Sequence, residues 1–278
     1  MHLHEIEKIE ISLLLEAIVQ RYGYDFRNYM ADSISRRITL FRQQKGFPSI
    51  AEMIPQVLHD PAFFQELLQS LSVTVTEMFR DPFVYRSIRE NVIPLLQTYP
   101  SIRIWVAGCA TGEEAYSLAI LLKEEGIFNK TTIFATDIND EALRLGKEGI
   151  YNLENIRHFT ENYQEAGGTQ SFSSYYHADY GVAVIDQSLK DKITFIKHNL
   201  VTDGVFGEMH LIMCRNVLIY FDRTLQNRVL KLFEESLVYG GYLGLGTKEI
   251  LRFSAVSDNF DSVDKNARIY KKRRLKIY

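Results

Sequence analysis

The chain has 278 residues, of which 46% are hydrophobic and 24% charged, and its formal net charge is −3. This composition is typical of a globular protein with a sizeable core and excludes a disordered or fibrous chain. The length predicts one large domain or two unequal ones, and the small net charge predicts no nucleic-acid partner.

The cysteine and histidine pattern argues against a metal site. Cys109 and Cys214 lie far apart in apolar runs, which excludes a disulfide scaffold and a cysteine zinc site. None of the seven histidines has metal-ligand spacing, so no metal is expected.

The N-terminus lacks a signal-peptide pattern, and no apolar run approaches the roughly 20 residues of a membrane span. We therefore expect a cytoplasmic protein without membrane insertion.

Residues 1 to about 97 carry helical patterns throughout. The first helix is predicted to end at Gly23, and a second one is predicted from about Ser33 to Lys45. Asp60-Pro61 and Asp81-Pro82 are both typical of a capped helix start. The apolar face predicted for the first helix consists of Ile6, Ile9, Leu13, Leu14 and Ile18.

After Ser101, short β-rich apolar runs alternate with helical segments, which predicts βαβ units and a mostly parallel sheet. The predicted domains are a helical N-terminal domain (1–82), a linker helix (83–100) and an α/β domain (101–278). Residues from about 153 to 190 break the alternation and are interpreted as a small antiparallel insertion. The last segment, 267–278, is interpreted as a basic edge strand. Predicted strands are 102–108, 131–137, 193–200, one starting at 209, and 242–246; predicted helices are 113–125, 139–147 and 224–238.

A glycine-containing turn joins the first predicted strand to a helix in WVAGCATGEEAYS, Trp105–Ser117. Glycine lets a backbone approach a ligand closely. Two carboxylates, Glu113 and Glu114, start the helix, so a phosphate is disfavoured and a ligand with a cationic amino group is favoured. The alternative is a capping box formed by Thr111 and Glu114, and the motif alone leaves both open.

Asp137 ends the second predicted strand, 25 residues after Gly112. An acid at that position can accept hydrogen bonds from both ribose hydroxyls. The alternative is a helix cap, a role that Asn139 can also fill. The glycine turn, the acidic helix start and Asp137 together predict a nucleoside ligand without a pyrophosphate, and S-adenosylmethionine fits that description.

Two later stretches also follow predicted strands: HNL (His198–Leu200) and CRNVLIYF (Cys214–Phe221). Ligands of open α/β sheets bind beyond the carboxyl ends of the strands. We therefore expect all four stretches to converge on one crevice, although Asn216 and Tyr220, taken singly, are more often turn and core residues.

Five stretches together resemble the chemotaxis receptor methyltransferases, the CheR family: TVTEMFRD (Thr74–Asp81), GCATGEEAYS (Gly108–Ser117), ATDI (Ala135–Ile138), KHNL (Lys197–Leu200) and CRNVLIYF. The resemblance covers nearly the whole chain. It implies a Rossmann-like methyltransferase sheet with a helical N-terminal domain and a small inserted β-subdomain. It also implies that S-adenosylmethionine is used to convert glutamates on chemoreceptor cytoplasmic helices to glutamate 5-O-methyl esters, with S-adenosylhomocysteine as product, by a monomer.

The resemblance also assigns residues. Arg80 and Tyr220 are expected to act in catalysis, and Arg36, Arg37 and Arg42 in receptor docking, where the alternative is a solvated helix face. Many members have Asn where this chain has Thr74, whose shorter hydroxyl makes that contact less secure. The alternatives to the enzyme are a non-catalytic cofactor-binding docking module and a methyltransferase for a small carboxylic acid. The implied cofactor contacts are Thr74, Thr76, Arg80, Glu114, Asp137, Asn199, Leu200, Arg215 and Asn216.

Overall fold

The computed structural model describes residues 3–274, with side chains from residue 5 onward. The chain forms two compact units. The helical unit comprises residues up to Val73 together with Ile219–Arg228, and the sheet unit comprises Thr74–Leu218 and the residues from Val229 onward.

Four helices of the helical unit pack around one apolar core. Gly46 stops the second helix in a left-handed conformation (φ 75°), as predicted. The Asp60 carboxylate accepts hydrogen bonds from the amides of Ala62 (2.9 Å) and Phe63 (3.3 Å), which confirms the predicted cap before Pro61. The helices are α1 (Leu3–Tyr22), α2 (Ala31–Lys45), α3 (Met53–His59) and α4 (Pro61–Leu71).

The predicted apolar face of α1 is partly wrong. Leu14 and Ile18 are buried, but Ile6, Ile9 and Leu13 are exposed, Leu13 by 54%. The buried face also contains Ile11 and Leu15, so it follows the i, i+3, i+4, i+7 spacing from residue 11. The sequence offered two overlapping apolar faces, and the packing of the helical core selected one.

The sheet unit contains a seven-stranded sheet in the order β6-β2-β1-β7-β8-β10-β9. The first five strands in that order pair in parallel, and β10 pairs antiparallel with both β8 and β9. Parallel strands buried between helices confirm the predicted methyltransferase-like α/β architecture. The strands are β1 (Ile102–Ala107), β2 (Thr131–Asp137), β6 (Ile193–Lys197), β7 (Met209–Cys214), β8 (Leu237–Leu245), β9 (Phe260–Asp264) and β10 (Ile269–Lys272).

The predicted basic strand exists, but the prediction that it lies at the edge of the sheet is wrong. β10 lies between β8 and β9, and β9, which the sequence pattern did not reveal, occupies the edge. The reason is a tight turn in which the Asp264 carboxylate accepts hydrogen bonds from the amides of Asn266 and Ala267. Residues 275–278 of the predicted basic end lie outside the described residues.

The helices of the sheet unit cover its sheet. After Pro82 the helix contains a π-helical turn, and Ile88 and Ile93 from this stretch belong to the core of the sheet unit. The boundary between the two units, after Val73, differs from the predicted domain limits at 82 and 100, which stay predictions. The elements are α5 (Pro82–Ser87), the π-turn (Ile88–Val92), α6 (Ile93–Leu96), α7 (Glu113–Glu124), α8 (Asp140–Glu148), α9 (Leu153–Glu165) and α10 (Gln187–Lys190), with 3₁₀ turns at Phe128–Lys130, Phe172–Tyr175 and Ser257–Asn259. The 3₁₀ turn Leu218–Tyr220 and α11 (Arg223–Ser236) each contribute residues to both units.

A second, small sheet confirms the predicted antiparallel insertion. It contains β3 (Ile150–Asn152), β4 (Tyr176–Asp179) and β5 (Val182–Ile185) in the order β3-β5-β4.

None of the helices within residues 3–274 has the length and apolar content that a membrane crossing requires.

The Asp60 cap gives a stability prediction. We expect Asp60→Ala to lower the free energy of unfolding of the helical unit by about 1 kcal/mol, because two amides of α4 lose their acceptor. Asp60→Asn keeps an acceptor and should stay close to wild type. Urea unfolding followed by circular dichroism measures both variants. Equal losses for Ala and Asn would contradict the capping role.

Candidate functional site

At the carboxyl ends of the parallel strands, the turn after β1 lies close to the end of β2 and to Val217 after β7, and the segment after β6 is bound to Asp137. Residues 219–221 of the fourth predicted stretch belong to the helical unit, so their part in the convergence stays a prediction. The turn after β1 is bound to the end of β2, because the amides of Gly108 and Cys109 both donate to the Thr136 carbonyl oxygen, at 2.8 and 2.9 Å. Gly108 has φ 75°, and a Cβ on it would collide with the Val217 side chain beyond β7. Only glycine fits there, so this turn can lie close to the loop after β7.

Asp137 fixes this turn from β2. Its carboxylate accepts hydrogen bonds from the amides of Ala110 (2.9 Å) and Asn139 (3.0 Å). Asn139 caps α8 through the amides of Glu141 and Ala142, so the cap alternative for Asp137 is wrong. Burial raises the pKa of Asp137 above its usual value. A carboxylate has about four lone-pair sites, so these two bonds leave room for the hydroxyls of a ligand.

The capping-box alternative for Glu114 is wrong as well. The Thr111 hydroxyl donates to both carboxylate oxygens of Glu113, at 2.9 and 2.7 Å, and α7 begins without a side-chain cap. Glu114 instead accepts a hydrogen bond from Nη1 of Arg215 at 3.0 Å.

Arg215 is the centre of a buried ion-pair cluster. Its side chain is 3% exposed, and its Nη2 donates to the Arg80 carbonyl oxygen (2.9 Å) and to the Asp81 carboxylate (2.6 Å). Its Nε has no partner among the described residues. Asp81 makes no cap contact with α5, so the second Asp-Pro signal marks an ion-pair partner rather than a helix cap.

Arg80 lies between two strained residues. Phe79 and Asp81 have φ values of 53° and 56°, a left-handed conformation that costs a non-glycine residue about 1–3 kcal/mol. The Arg80 side chain is half-buried, and its guanidinium has no hydrogen-bond or ion-pair partner within residues 3–274. Strain maintained on both sides of an unpaired guanidinium is typical of a functional position.

The segment after β6 forms a turn that contains two predicted contacts. The Asn199 side chain accepts a hydrogen bond from the Val201 amide (3.0 Å), and Leu200 is buried. The neighbouring His198 ring packs edge-on against Trp105, and its buried Nδ1 has no partner among the described residues. A buried nitrogen without a partner is uncommon in native proteins.

The other predicted residues of the sheet unit make fewer contacts. Asn216 follows β7 with φ 60°, a conformation that asparagine tolerates. Thr74 is exposed and Thr76 is half-buried, and their hydroxyls have no partner within the described chain. Sequence reasoning missed Glu249, which is buried and accepts the Val217 amide at 2.9 Å and the Gly246 amide. No motif in the sequence pointed to it.

Tyr220 belongs to the helical unit. Its carbonyl oxygen accepts a hydrogen bond from the Met30 amide (2.8 Å), and the Arg37 guanidinium lies 5.9 Å from its ring centroid. Arg80 belongs to the sheet unit, so the predicted catalytic pair stays a prediction.

The three arginines predicted to dock a receptor differ in their contacts. Arg42 donates to the carbonyl oxygens of Phe47 and Pro48, both at 2.9 Å, and so stabilises the end of α2. Arg37 donates to the Ser70 and Ser72 carbonyl oxygens, both at 3.3 Å. Arg36 is exposed and has no partner among the described residues. A cavity of about 300 Å³ in the helical unit is lined by Arg36, Arg37, Leu40, Phe41, Gln44 and Ser70.

The sheet unit fits S-adenosylmethionine in the chemistry of its groups. Asp137 offers acceptors for a ribose diol, Glu114 offers negative charge for an ammonium group, and Nδ1 of His198 is a buried unsatisfied nitrogen. The described residues contain no group of three or more His, Cys, Asp or Glu placed to hold a metal ion.

Glu113 gives a pH prediction. Burial raises its pKa from 4.5 to about 7, partly offset by the Thr111 hydroxyl. Between these values the folded protein binds more protons than the unfolded chain, so stability falls as pH rises from 4.5 to about 7 and Glu113 adds no further change above it. The slope is at most about 1.4 kcal/mol per pH unit.

We therefore expect Glu113→Gln, which cannot ionise, to lose less stability than wild type between pH 5 and 7. Urea unfolding at several pH values measures the difference. Glu154→Gln, at an exposed carboxylate, is the matched control and should follow wild type. If the stabilities of wild type and Glu113→Gln changed in parallel with pH, Glu113 would not be a buried carboxyl that titrates in this range.

Comparison with known proteins identifies both parts of the chain. Residues 74–269 match the family model described as CheR methyltransferase, SAM binding domain, and residues 9–72 match the one described as CheR methyltransferase, all-alpha domain. A Pseudomonas putida protein named Cher3 is 52% identical over 264 residues, which cover 95% of this chain and 97% of that protein.

More distant relatives carry a chemotaxis name. Chemotaxis protein methyltransferase of Borreliella burgdorferi is 29% identical, with 89% of this chain and 90% of that protein covered. The Listeria monocytogenes protein of the same name is 28% identical, with 85% and 88% covered. The chain belongs to the CheR family of S-adenosylmethionine-dependent methyltransferases.

Proposed function

We propose that this methyltransferase esterifies glutamate side chains on the cytoplasmic helices of chemoreceptors, giving glutamate 5-O-methyl ester and S-adenosylhomocysteine. The observation that carries the proposal is the unpaired guanidinium of Arg80, a residue whose carbonyl oxygen is bound by Arg215. A guanidinium binds a carboxylate with two parallel hydrogen bonds, which orients as well as attracts it. The chemotaxis names of the relatives support a receptor substrate.

The residues that would hold the cofactor are assigned on the same basis. Asp137 would accept the ribose hydroxyls and Glu114 the ammonium group. When bound, S-adenosylmethionine supplies a methyl group activated by its positively charged sulfur. The remaining proposed contacts are Thr74, Thr76, Arg80, Asn199, Leu200, Arg215 and Asn216.

The acceptor needs orientation rather than deprotonation. A glutamate side chain has an unperturbed pKa of about 4.3, so it is already ionised near neutral pH. Arg80 would hold this carboxylate in the reactive orientation, and Tyr220 is the second residue proposed to act in catalysis. Positioning and exclusion of water are then the main contributions of the protein.

The cavity on the helical unit supports a docking role for α2. It combines the exposed Arg36 with the exposed apolar side chain of Leu40, and the buried Phe41 also lines it. Such a surface can accept an amphipathic helix that carries acidic residues. Arg42 contributes through the end of α2, since its guanidinium is bound to backbone carbonyls.

Labelling tests the proposal. The purified protein is incubated with methyl-labelled cofactor and membranes that contain chemoreceptors. We expect a label on a receptor-sized band that is released by mild base, as a methyl ester is. No label would indicate a non-catalytic binding module, and label confined to small molecules would indicate a small-acid methyltransferase; both outcomes contradict the proposal.

Arg80→Ala tests the proposed role of the unpaired Arg80 guanidinium. We expect the folded variant to lose turnover by on the order of a hundredfold, because misplacing reacting groups by about 1 Å costs that much. Cofactor affinity, measured by calorimetry, should change far less. Arg80→Lys should recover little, because an ammonium lacks the two-pronged geometry.

Arg157 offers the matched control for Arg80. It is an exposed arginine of α9 whose only described ion pair is with Glu161 on the same helix. Arg157→Ala should keep the wild-type rate. Receptor methylation by Arg80→Ala at the wild-type rate under saturating cofactor would remove Arg80 from catalysis.

Charge reversal at Arg36 tests docking. We expect Arg36→Glu to raise KM for the receptor by up to about fivefold at low salt, since an exposed ion pair contributes at most about 1 kcal/mol. The difference should shrink as salt screens the charges. Lys8→Glu, on exposed α1 surface, is the control. Identical salt series for Arg36→Glu and wild type would show that Arg36 only faces solvent.

A further inference from the structure

Residues Glu77–Asp81 form a strap that is bound at every residue by groups from other parts of the sheet unit. Its two apolar side chains, Met78 and Phe79, are fully buried. The Phe79 ring packs against Tyr85 and Tyr163, with ring centroids 5.0 and 5.3 Å away. The apolar residues thus anchor the middle of the strap in the core.

Side chains of α7 and α9 bind the first part of the strap. Asn162 donates to the Met78 carbonyl oxygen at 3.0 Å, and the Phe79 amide donates to the Ser117 hydroxyl oxygen at 2.8 Å. Ser117 in turn donates to the Glu113 carbonyl oxygen at 2.6 Å. Nε2 of His158 lies 2.7 Å from the Glu77 carboxylate.

Arg215 binds the second part of the strap, Arg80 and Asp81, through one guanidinium nitrogen. Nη2 of Arg215 reaches both the Arg80 carbonyl oxygen (2.9 Å) and the Asp81 carboxylate (2.6 Å). The Asp81 side chain makes no capping hydrogen bond with the helix that follows it. The ion pair therefore fixes the backbone of Arg80, whose own side chain has no partner within residues 3–274.

We propose that Asp81 is a positioning residue that holds Arg80 through Arg215, an inference that rests on the proposed function. The left-handed conformations at Phe79 and Asp81 set the direction in which the Arg80 side chain leaves the strap. Such conformations persist only where surrounding contacts impose them. Without the Asp81 carboxylate, Arg215 keeps Glu114 and the carbonyl oxygen, but the strap loses its charged anchor.

Two substitutions separate positioning from stability. Asp81→Gly removes the carboxylate and suits a left-handed conformation without strain, and Arg215 keeps its ion pair with Glu114, so its buried charge is not left uncompensated. Asp81→Asn keeps a side-chain oxygen for Arg215 and is also tolerated in that conformation. We expect Asp81→Gly to lose at least tenfold in kcat for receptor methylation, with a smaller change in cofactor affinity, and Asp81→Asn to recover part of that loss.

Hydrogen exchange provides a readout that does not depend on activity. Amides of residues 79–81 should exchange faster in Asp81→Gly than in wild type, with the rest of the sheet unit unchanged. Tyr180→Gly, at an exposed residue that is also left-handed (φ 40°) in the turn between β4 and β5, is the matched control and should leave both the strap and kcat unchanged.

The outcomes separate this inference from the proposed function. A wild-type protein that does not methylate receptors, with faster strap exchange in Asp81→Gly, refutes the proposed function and supports Asp81 as the anchor of the strap. Unchanged strap exchange in Asp81→Gly overturns the inference, whatever the activity. Wild-type kcat in Asp81→Gly, with an active wild type, overturns it as well.

Discussion

The sheet unit depends on the burial of one positive charge. The Arg215 side chain is only 3% exposed, and Glu114 and Asp81 both pair with its guanidinium. A buried charge left without any partner is strongly unfavourable and commonly costs about 3–5 kcal/mol. The pairing therefore joins three segments that carry motifs: the start of α7, the segment before α5 and the loop after β7.

Two other carboxylates organise the strand ends by binding backbone amides. Asp137 joins the turn after β1 to the start of α8, and Glu249 joins the loop after β7 to the one after β8. Gly108 lets the turn after β1 approach Val217 in the loop after β7. The loops are thus fixed by the protein itself, and the acceptors that remain are positioned before any ligand binds.

The two Asp-Pro signals show where local reasoning ends. Asp60 and Asp81 have the same sequence context, yet Asp60 caps α4 and Asp81 pairs with Arg215, 134 residues away. A cap depends on neighbours within one helical turn, so a sequence pattern can predict it. An ion pair between distant segments depends on how the strands order themselves, and no local pattern records that order.

The sequence by itself determined the alternation of strands and helices, the mostly parallel sheet, the inserted antiparallel sheet and the family, because these follow from periodicity and contiguous motifs. It also placed Asp137 and Glu114 at the right strand and helix ends. Only the tertiary structure decided the buried face of α1, the place of β10 inside the sheet, the bonding of Arg42 to its own helix end and the roles of Asp81 and Glu249. Each of these depends on contacts between segments far apart in the chain, and such contacts form only when the whole unit packs.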